Sequence, residues 1–204
     1  MIYSDLKSHF NDLLNRSDIT TALTTRFISQ GISRIQRSLR TPMSERVLEV
    51  TITGKTETMT LPSDFLEIIS LYHSTNELQR VPMKRYREMT GNLYEGKPEF
   101  FARQAEKLFL YPQPSDGKLI LYYHGEFPAL SADSDENVLT QAAPDLVIYA
   151  GLTYAADFYT DNRAELFEAK YTQFLTELQS QADDQELQGS VQVVQPAYRY
   201  NDEY

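Results

Sequence analysis

The chain has 204 residues, 41% of them hydrophobic and 24% charged, which is the composition of a globular protein of one domain or two small ones, large enough to fold without staples. It contains no cysteine, which excludes a disulfide scaffold and every thiolate metal site and is compatible with assembly in a reducing cytoplasm. Its net charge of −10 argues against a nucleic-acid clamp, because phosphate neutralisation by Lys and Arg supplies most of that affinity.

The charge is unevenly spread. Met1 to Lys118 carries 16 Lys and Arg against 14 Asp and Glu, whereas Leu119 to Tyr204 carries 3 against 15, an asymmetry expected of a surface that directs or repels a partner. Asp5, Lys7 and His9 interrupt the N-terminus where a secretory leader needs an apolar core. The longest uncharged apolar stretch, Leu146 to Ala156, falls short of the roughly 20 residues that span a bilayer. A soluble protein is expected.

In chain order, Ile2, Leu6, Phe10, Leu13 and Leu14 form one stripe at helical spacing. Ser17 and Asp18 read as the N-cap of a second helix, which stacks Ile19, Leu23, Phe27, Ile28, Ile32, Ile35 and Leu39 before Pro42 ends it. Arg26, Arg34, Arg37 and Arg40 decorate that helix, and no acidic residue lies between Asp18 and Glu45. It is therefore the most basic piece of the chain, a solvated face or a docking face.

From Arg46 the period changes to two, with Leu48, Val50 and Ile52 alternating with Glu49, Thr51 and Thr53. Further strands are expected over Glu57 to Leu61, Phe65 to Tyr72, Gln79 to Val81, Phe100 to Arg103, Leu108 to Tyr111 and Lys118 to His124, with a short helix over Met83 to Met89. Turns fall at Gly54-Lys55, Ser74 to Asn76, Gly96 to Pro98 and Pro112 to Gly117. The last strand is apolar on both faces, with Leu119, Leu121 and Tyr123 on one and Ile120 and Tyr122 on the other. Something must cover both sides, for example a helix and a neighbouring subunit.

Pro144 and Asp145 suit the first turn of a helix. That helix, Leu146 to Tyr159, is apolar nearly all round and so is expected to be central and buried. Asn162 and Glu165 fit the start of a final helix carrying Phe167, Tyr171, Phe174 and Leu178, with Leu166 and Leu175 beside them. From Gly189 the pattern stops, yet the tail is rich in Val and Tyr, unlike a disordered terminus. Such a segment suits strand addition to another chain or folding back on its own domain.

Chemical motifs fail on inspection. Gly91 to Pro98 has the spacing of a phosphate-binding loop but places Pro98 where the magnesium-holding hydroxyl belongs. Asp133 to Asn137 begins like a calcium loop, but Val138 replaces its turn glycine and Pro144 its bidentate glutamate. His9, His73 and His124 are too scattered for a metal site. No GxSxG or HExxH is present, and no pair among 29 acidic residues stands out for glycosidase chemistry. Neither a catalytic centre nor a cofactor is expected.

Taken in order, several segments resemble the head-to-tail adaptor (head completion) proteins of short-tailed phages. They are Leu61-Pro62-Ser63-Asp64-Phe65-Leu66-Glu67, Gly96-Lys97-Pro98, Leu108-Phe109-Leu110-Tyr111-Pro112, Leu119 to Tyr123, Pro128-Ala129-Leu130-Ser131, Asn137-Val138-Leu139, and Pro144-Asp145-Leu146 leading to Ala155-Ala156-Asp157-Phe158-Tyr159. The resemblance spans nearly the whole chain and rests on their order and spacing.

It implies a non-enzymatic structural protein of the virion, assembled in the host cytoplasm as a ring of twelve at the portal-tail junction. The partners implied are the portal protein, a tail nozzle or tail tube protein and further copies of the chain, with genomic DNA passing unbound through the lumen and no membrane involved. The expected fold is mainly helical α+β: an antiparallel helix bundle with a small β-rich insertion and an extended C-terminal tail. Residues 1–188 would form the adaptor domain, with helices over 1–41 and 136–188 as its body and 46–124 as the β-rich region, and 189–204 the tail. Candidate portal contacts are Val191, Val193, Val194, Pro196, Tyr198, Tyr200 and Tyr204; candidate subunit contacts are Ile120, Tyr122, Phe101 and Phe109. Two other readings remain, a carboxylate-based cell-wall glycan hydrolase of the virion and a nucleic-acid-binding module built on Arg26, Arg34, Arg37 and Arg40.

Overall fold

A computed structural model describes residues 1–91 and 94–187, the side chains of 185–187 excepted. Helix α1 (Tyr3–Leu14) buries Tyr3, Leu6, Phe10 and Leu14, at steps of three, four and four residues that keep one face of the helix. It stops at Asn15 in the left-handed region (φ 52°), a conformation asparagine tolerates at a helix end. Helix α2 (Thr21–Ser38) is capped by Thr20, whose side chain accepts from the Leu23 N–H. The cap is thus two residues later than the expected Ser17-Asp18, because Asp18 is engaged by the Arg16 guanidinium at 2.8 Å.

The expected central helix is α5 (Pro144–Tyr159), which buries eight side chains or glycines along its length. It crosses α2 with almost no side chain between the backbones. A Cβ added at Gly31 would lie 2.7 Å from the Gly151 amide nitrogen, so glycine permits this approach. Helix α6 (Ala164–Leu187) lays Phe167 and Tyr171 into the same core. It begins after Asn162, and Asp161 rather than Asn162 accepts the Arg163 N–H. A short separate helix, α4 (Val138–Ala142), inside the 136–188 region expected to be helical, precedes α5 and is closed by a capping box between Asn137 and Thr140.

The structure has eight strands: β1 (Glu45–Thr51), β2 (Thr58–Thr60), β3 (Phe65–His73), β4 (Asn76–Glu77), β5 (Gln79–Arg80), β6 (Phe100–Gln104), β7 (Lys107–Tyr111) and β8 (Lys118–Gly125), seven where strands were expected and β4 beginning at Asn76, which was expected in a turn. They form two four-stranded sheets, β1-β8-β3-β4 and β2-β7-β6-β5. Between the sheets lies a core of their own, built from Met59, Leu71, Phe101, Leu108, Leu110, Leu119 and Leu121 among others. Each fully buried leucine there contributes roughly 2 kcal/mol of transfer free energy. Helix α3 (Met83–Met89) covers the far face of the second sheet through Tyr86.

This corrects the expected architecture. The class is α+β, but the protein is not mainly a helical bundle with a small insertion, since helix makes up 45% and strand 24%. The strands are short and so occupy little sequence, yet paired they make a sandwich with an independent core. Body and sandwich meet where Arg40 joins Glu67 of β3 at 2.7 Å, the Arg40 carbonyl being held in turn by Gln179 of α6.

Candidate interaction surface

Strand β8 lies in the middle of its sheet. Leu119, Leu121 and Tyr123 point into the sandwich, and Ile120 and Tyr122 point outward. The register sets Val47 directly opposite Tyr122, and Ser70 opposite it on the other side, with Ile69 at the bulge beside Ser70. Val47, Ile69 and Tyr122 are 56%, 45% and 39% exposed. An apolar row therefore crosses the outer face of this sheet, perpendicular to the strands.

A groove of about 510 Å³ runs along that face between Ile69, Tyr72, Ile120 and Tyr122. The Tyr72 and Tyr122 rings meet edge to face, with centroids 5.9 Å apart. Acidic residues border the row, Glu45 and Glu49 on β1, and Lys118 holds Glu49 at 2.8 Å. Among the described residues no helix or strand covers this face. Exposed apolar rows of this kind mark contact with another molecule.

The other expected contact residues divide. Ile120 and Tyr122 lie on the open face, whereas Phe101 is 3% exposed inside the sandwich and Phe109 packs under α3 against Tyr86, ring centroids 5.7 Å apart. Val47 and Ile69 stand out in the sequence as anomalies only, the first an apolar residue in the polar phase of its strand, the second the latter half of the short Ile68-Ile69 run that breaks alternation between Glu67 and Ser70. The bulge turns that run so that Ile69 faces out.

Arg26, Arg34 and Arg37 of α2 and Arg40 just beyond its end are not one open face. Arg34 forks onto Glu168, donates to Thr153 and lies 4.1 Å over the Tyr171 ring. The hydrogen-bonded Arg34 guanidinium holds the Glu168 carboxyl below its usual range. Arg40 bonds Glu67 and the carbonyls of Gln36 and Leu39, and Arg37 reaches the Tyr154 hydroxyl at 3.4 Å. Arg26 is exposed and makes no ion pair among the described residues. Three of the four thus tie helices or sheet together, a use that sequence spacing does not reveal.

The carboxylates are likewise structural. Asp135 accepts the N–H groups of Ser131 and Ala132, which lower its pKa, and Asp133 pairs with Lys7. Asp161 is held down to about 2 by the Arg163 guanidinium, which also donates to the last carbonyls of α1, Leu13 and Leu14. Every carboxyl with a resolved shift is lowered, the opposite of what a general acid needs. Among the described residues no group of three His, Asp or Glu is placed to hold a metal, and no helix is long and apolar enough to cross a membrane. His73 Nε2 contacts the Asp116 carbonyl at 2.9 Å, and His124 Nδ1 the Ser44 hydroxyl at 2.8 Å. The expected portal contacts from Val191 to Tyr204 lie outside the described residues.

No curated protein matches the chain. The family model described as SU10 adaptor protein matches residues 1–194, and the chain accordingly belongs to that family of phage head-to-tail adaptors.

Proposed function

We propose that the protein is a structural subunit of a ring of twelve that joins the phage portal to the tail and continues the channel through which DNA passes. The observation that carries this reading is the family match over residues 1–194. The uncovered apolar row of Val47, Ile69 and Tyr122 supports it, because a subunit of a larger assembly keeps a face for its neighbours. The partners are the portal protein, a tail nozzle or tail tube protein and further copies of the chain. Its place is the portal-tail junction of the virion.

The acidic segment from Leu119 onward has a use in such a conduit. Lined with carboxylates, the lumen repels phosphates and lets the genome slide without adhering. The tail, with Val191, Val193, Val194, Pro196, Tyr198, Tyr200 and Tyr204, grips the portal by strand addition. The lowered carboxyls lend no support to a glycan hydrolase, and the intramolecular pairing of Arg34 and Arg40 lends none to a nucleic-acid module.

The test is mass measured for the chain alone and after mixing with the portal protein of the same phage. Twelve copies per portal are expected, and a chain truncated after Gln188 should stay folded but lose stable binding. A chain that remains monomeric beside the portal sinks the reading. A map of the ring with a neutral or basic lumen sinks the channel role of the acidic segment.

A further inference from the structure

Sheet β1-β8-β3-β4 has two open edges on opposite sides of β8. Among the described residues strand β1 pairs with β8 alone, along all seven of its residues. On the other side, β4 pairs only with Tyr72 and His73, so Phe65 to Ser70 of β3 face no strand among the described residues. A groove of about 490 Å³ lies there instead, bordered by Ile68, Ile69, Ser70, Gln79 and Arg80, with buried Phe101 in its lining. Unpaired edge groups are templates for another strand. Alternate backbone N–H and C=O groups of β3 point away from β8 and toward this groove.

We infer that the groove beside β3 receives strand β1 of a second copy of this chain, so that neighbouring copies join through one continued sheet. The inference rests on the ring reading and supplies its joint. Both strands run antiparallel to β8, hence parallel to each other, and the added pair is parallel. The contact is head to tail, one edge meeting the opposite edge, which is the kind that propagates around a ring rather than stopping at a dimer.

Two observations select a second copy as the occupant. The apolar row runs from Val47 on one open edge through Tyr122 to Ile69 beside the other, so setting Val47 of one copy beside Ile69 of the next makes the row continuous. The same register brings Glu45 beside Glu67. There Arg40 bonds Glu67 at 2.7 Å, and Arg80 lines the groove. Glu45 and Arg80 make no ion pair among the described residues. The incoming Glu45 supplies the missing negative charge, while Glu45 and Glu49 on the bare edge discourage strands that offer no cation.

The chain lacks cysteine, so a disulfide can report the joint directly. Neighbouring strands stand about 4.8 Å apart, within disulfide reach. Full-length chain carrying both Val47→Cys and Ile69→Cys, assembled on the portal protein and mildly oxidised, should give a ladder of dimers, trimers and higher species on a denaturing gel. Either single variant should stay monomeric on that gel. Glu45→Arg should weaken ring formation about tenfold, and Arg80→Glu added to it should restore assembly. A ring that forms without a ladder overturns the joint and leaves the ring standing. Dimers from Val47→Cys alone overturn it in favour of a two-fold contact. Absence of a ring even from the unaltered chain overturns both.

Discussion

The two sheets have equal strand number and opposite fates. The β2-β7-β6-β5 sheet is covered twice, by the other sheet on one face and by α3 on the other, while the β1-β8-β3-β4 sheet is covered once. Both outer faces are apolar, with Phe109 and Tyr111 on the first and Val47, Ile69 and Tyr122 on the second. A short helix inside the chain solves the burial problem for one, and nothing in the described residues solves it for the other. What distinguishes a core from an interface here is therefore the cover, and the residue types are the same.

Substituting matched outer positions separates the two cases. Phe109→Ala should cost about 2 to 3 kcal/mol of folding stability, because it empties a site roofed by Tyr86. Denaturant midpoints measure this directly. A cost near zero would mean that α3 does not function as a roof, and the contrast between the sheets would collapse.

The helical body offers a third kind of surface, closed by backbone rather than by side chains. Ala is about 1 kcal/mol better than Gly in a helix interior, so on propensity alone Gly31→Ala should stabilise α2. The added Cβ would stand 2.7 Å from the Gly151 amide nitrogen and 3.0 Å from the Ala150 carbonyl carbon, and backbone cannot rotate aside. The clash outweighs the propensity gain, and a net loss of about 2 kcal/mol is expected. A stabilised Gly31→Ala would show that α2 and α5 slide apart readily, unlike the sandwich.

Much of this was legible in the sequence, and the parts that were not share a cause. Strand phases were readable where alternation reports which side faces a core, and β1 lies where period two places it, whereas the bulges of β3 break that phase. The central burial of α5 followed from an apolar run with a single charge, Asp157. The size of the β region was misjudged, since pairing between distant segments such as β1 with β8 leaves no local trace. For the same reason Arg34 and Arg40 looked like one basic face, although their partners Glu168 and Glu67 lie far along the chain. Of the candidate contacts, Tyr122 could be separated from Phe101 only by knowing what lies above each strand.

A further substitution probes the helical body where the α5–α6 connection meets the end of α1. Asp161 has its pKa lowered from 3.8 to about 2, chiefly by the Arg163 side chain that caps α1. A carboxyl depressed in the folded state stabilises it fully above the unfolded pKa and loses that contribution as pH falls through the folded one. The loss therefore falls between about pH 4 and pH 2. Arg163 is 39% exposed, and solvent screening reduces the contribution to about 1 kcal/mol. Asp161→Asn should cost that amount at pH 6 and flatten the acid limb of the stability profile, while cross-strand contacts of both sheets stay unchanged by NMR. An unaltered acid limb would show that the pair adds nothing to the body.

The smallest expected effect on folding is the sharpest test of the open sheet. Tyr122→Ser removes an aromatic ring that is 39% exposed and, among the described residues, meets the Tyr72 ring. Removing a side chain that water already reaches forfeits little burial, so the change in stability should stay within about 0.5 kcal/mol. Assembly would be affected differently, because in the proposed ring the Tyr122 side chain would be desolvated between copies, and its loss would remove that contact on every subunit at once. The expected result is a chain with an unchanged denaturation midpoint that assembles on the portal at least tenfold less well. If Tyr122→Ser instead destabilises the lone chain as much as Phe109→Ala does, the outer face is covered within one chain and both sheets are cores. If it leaves folding and assembly alike untouched, the apolar row is not where copies meet.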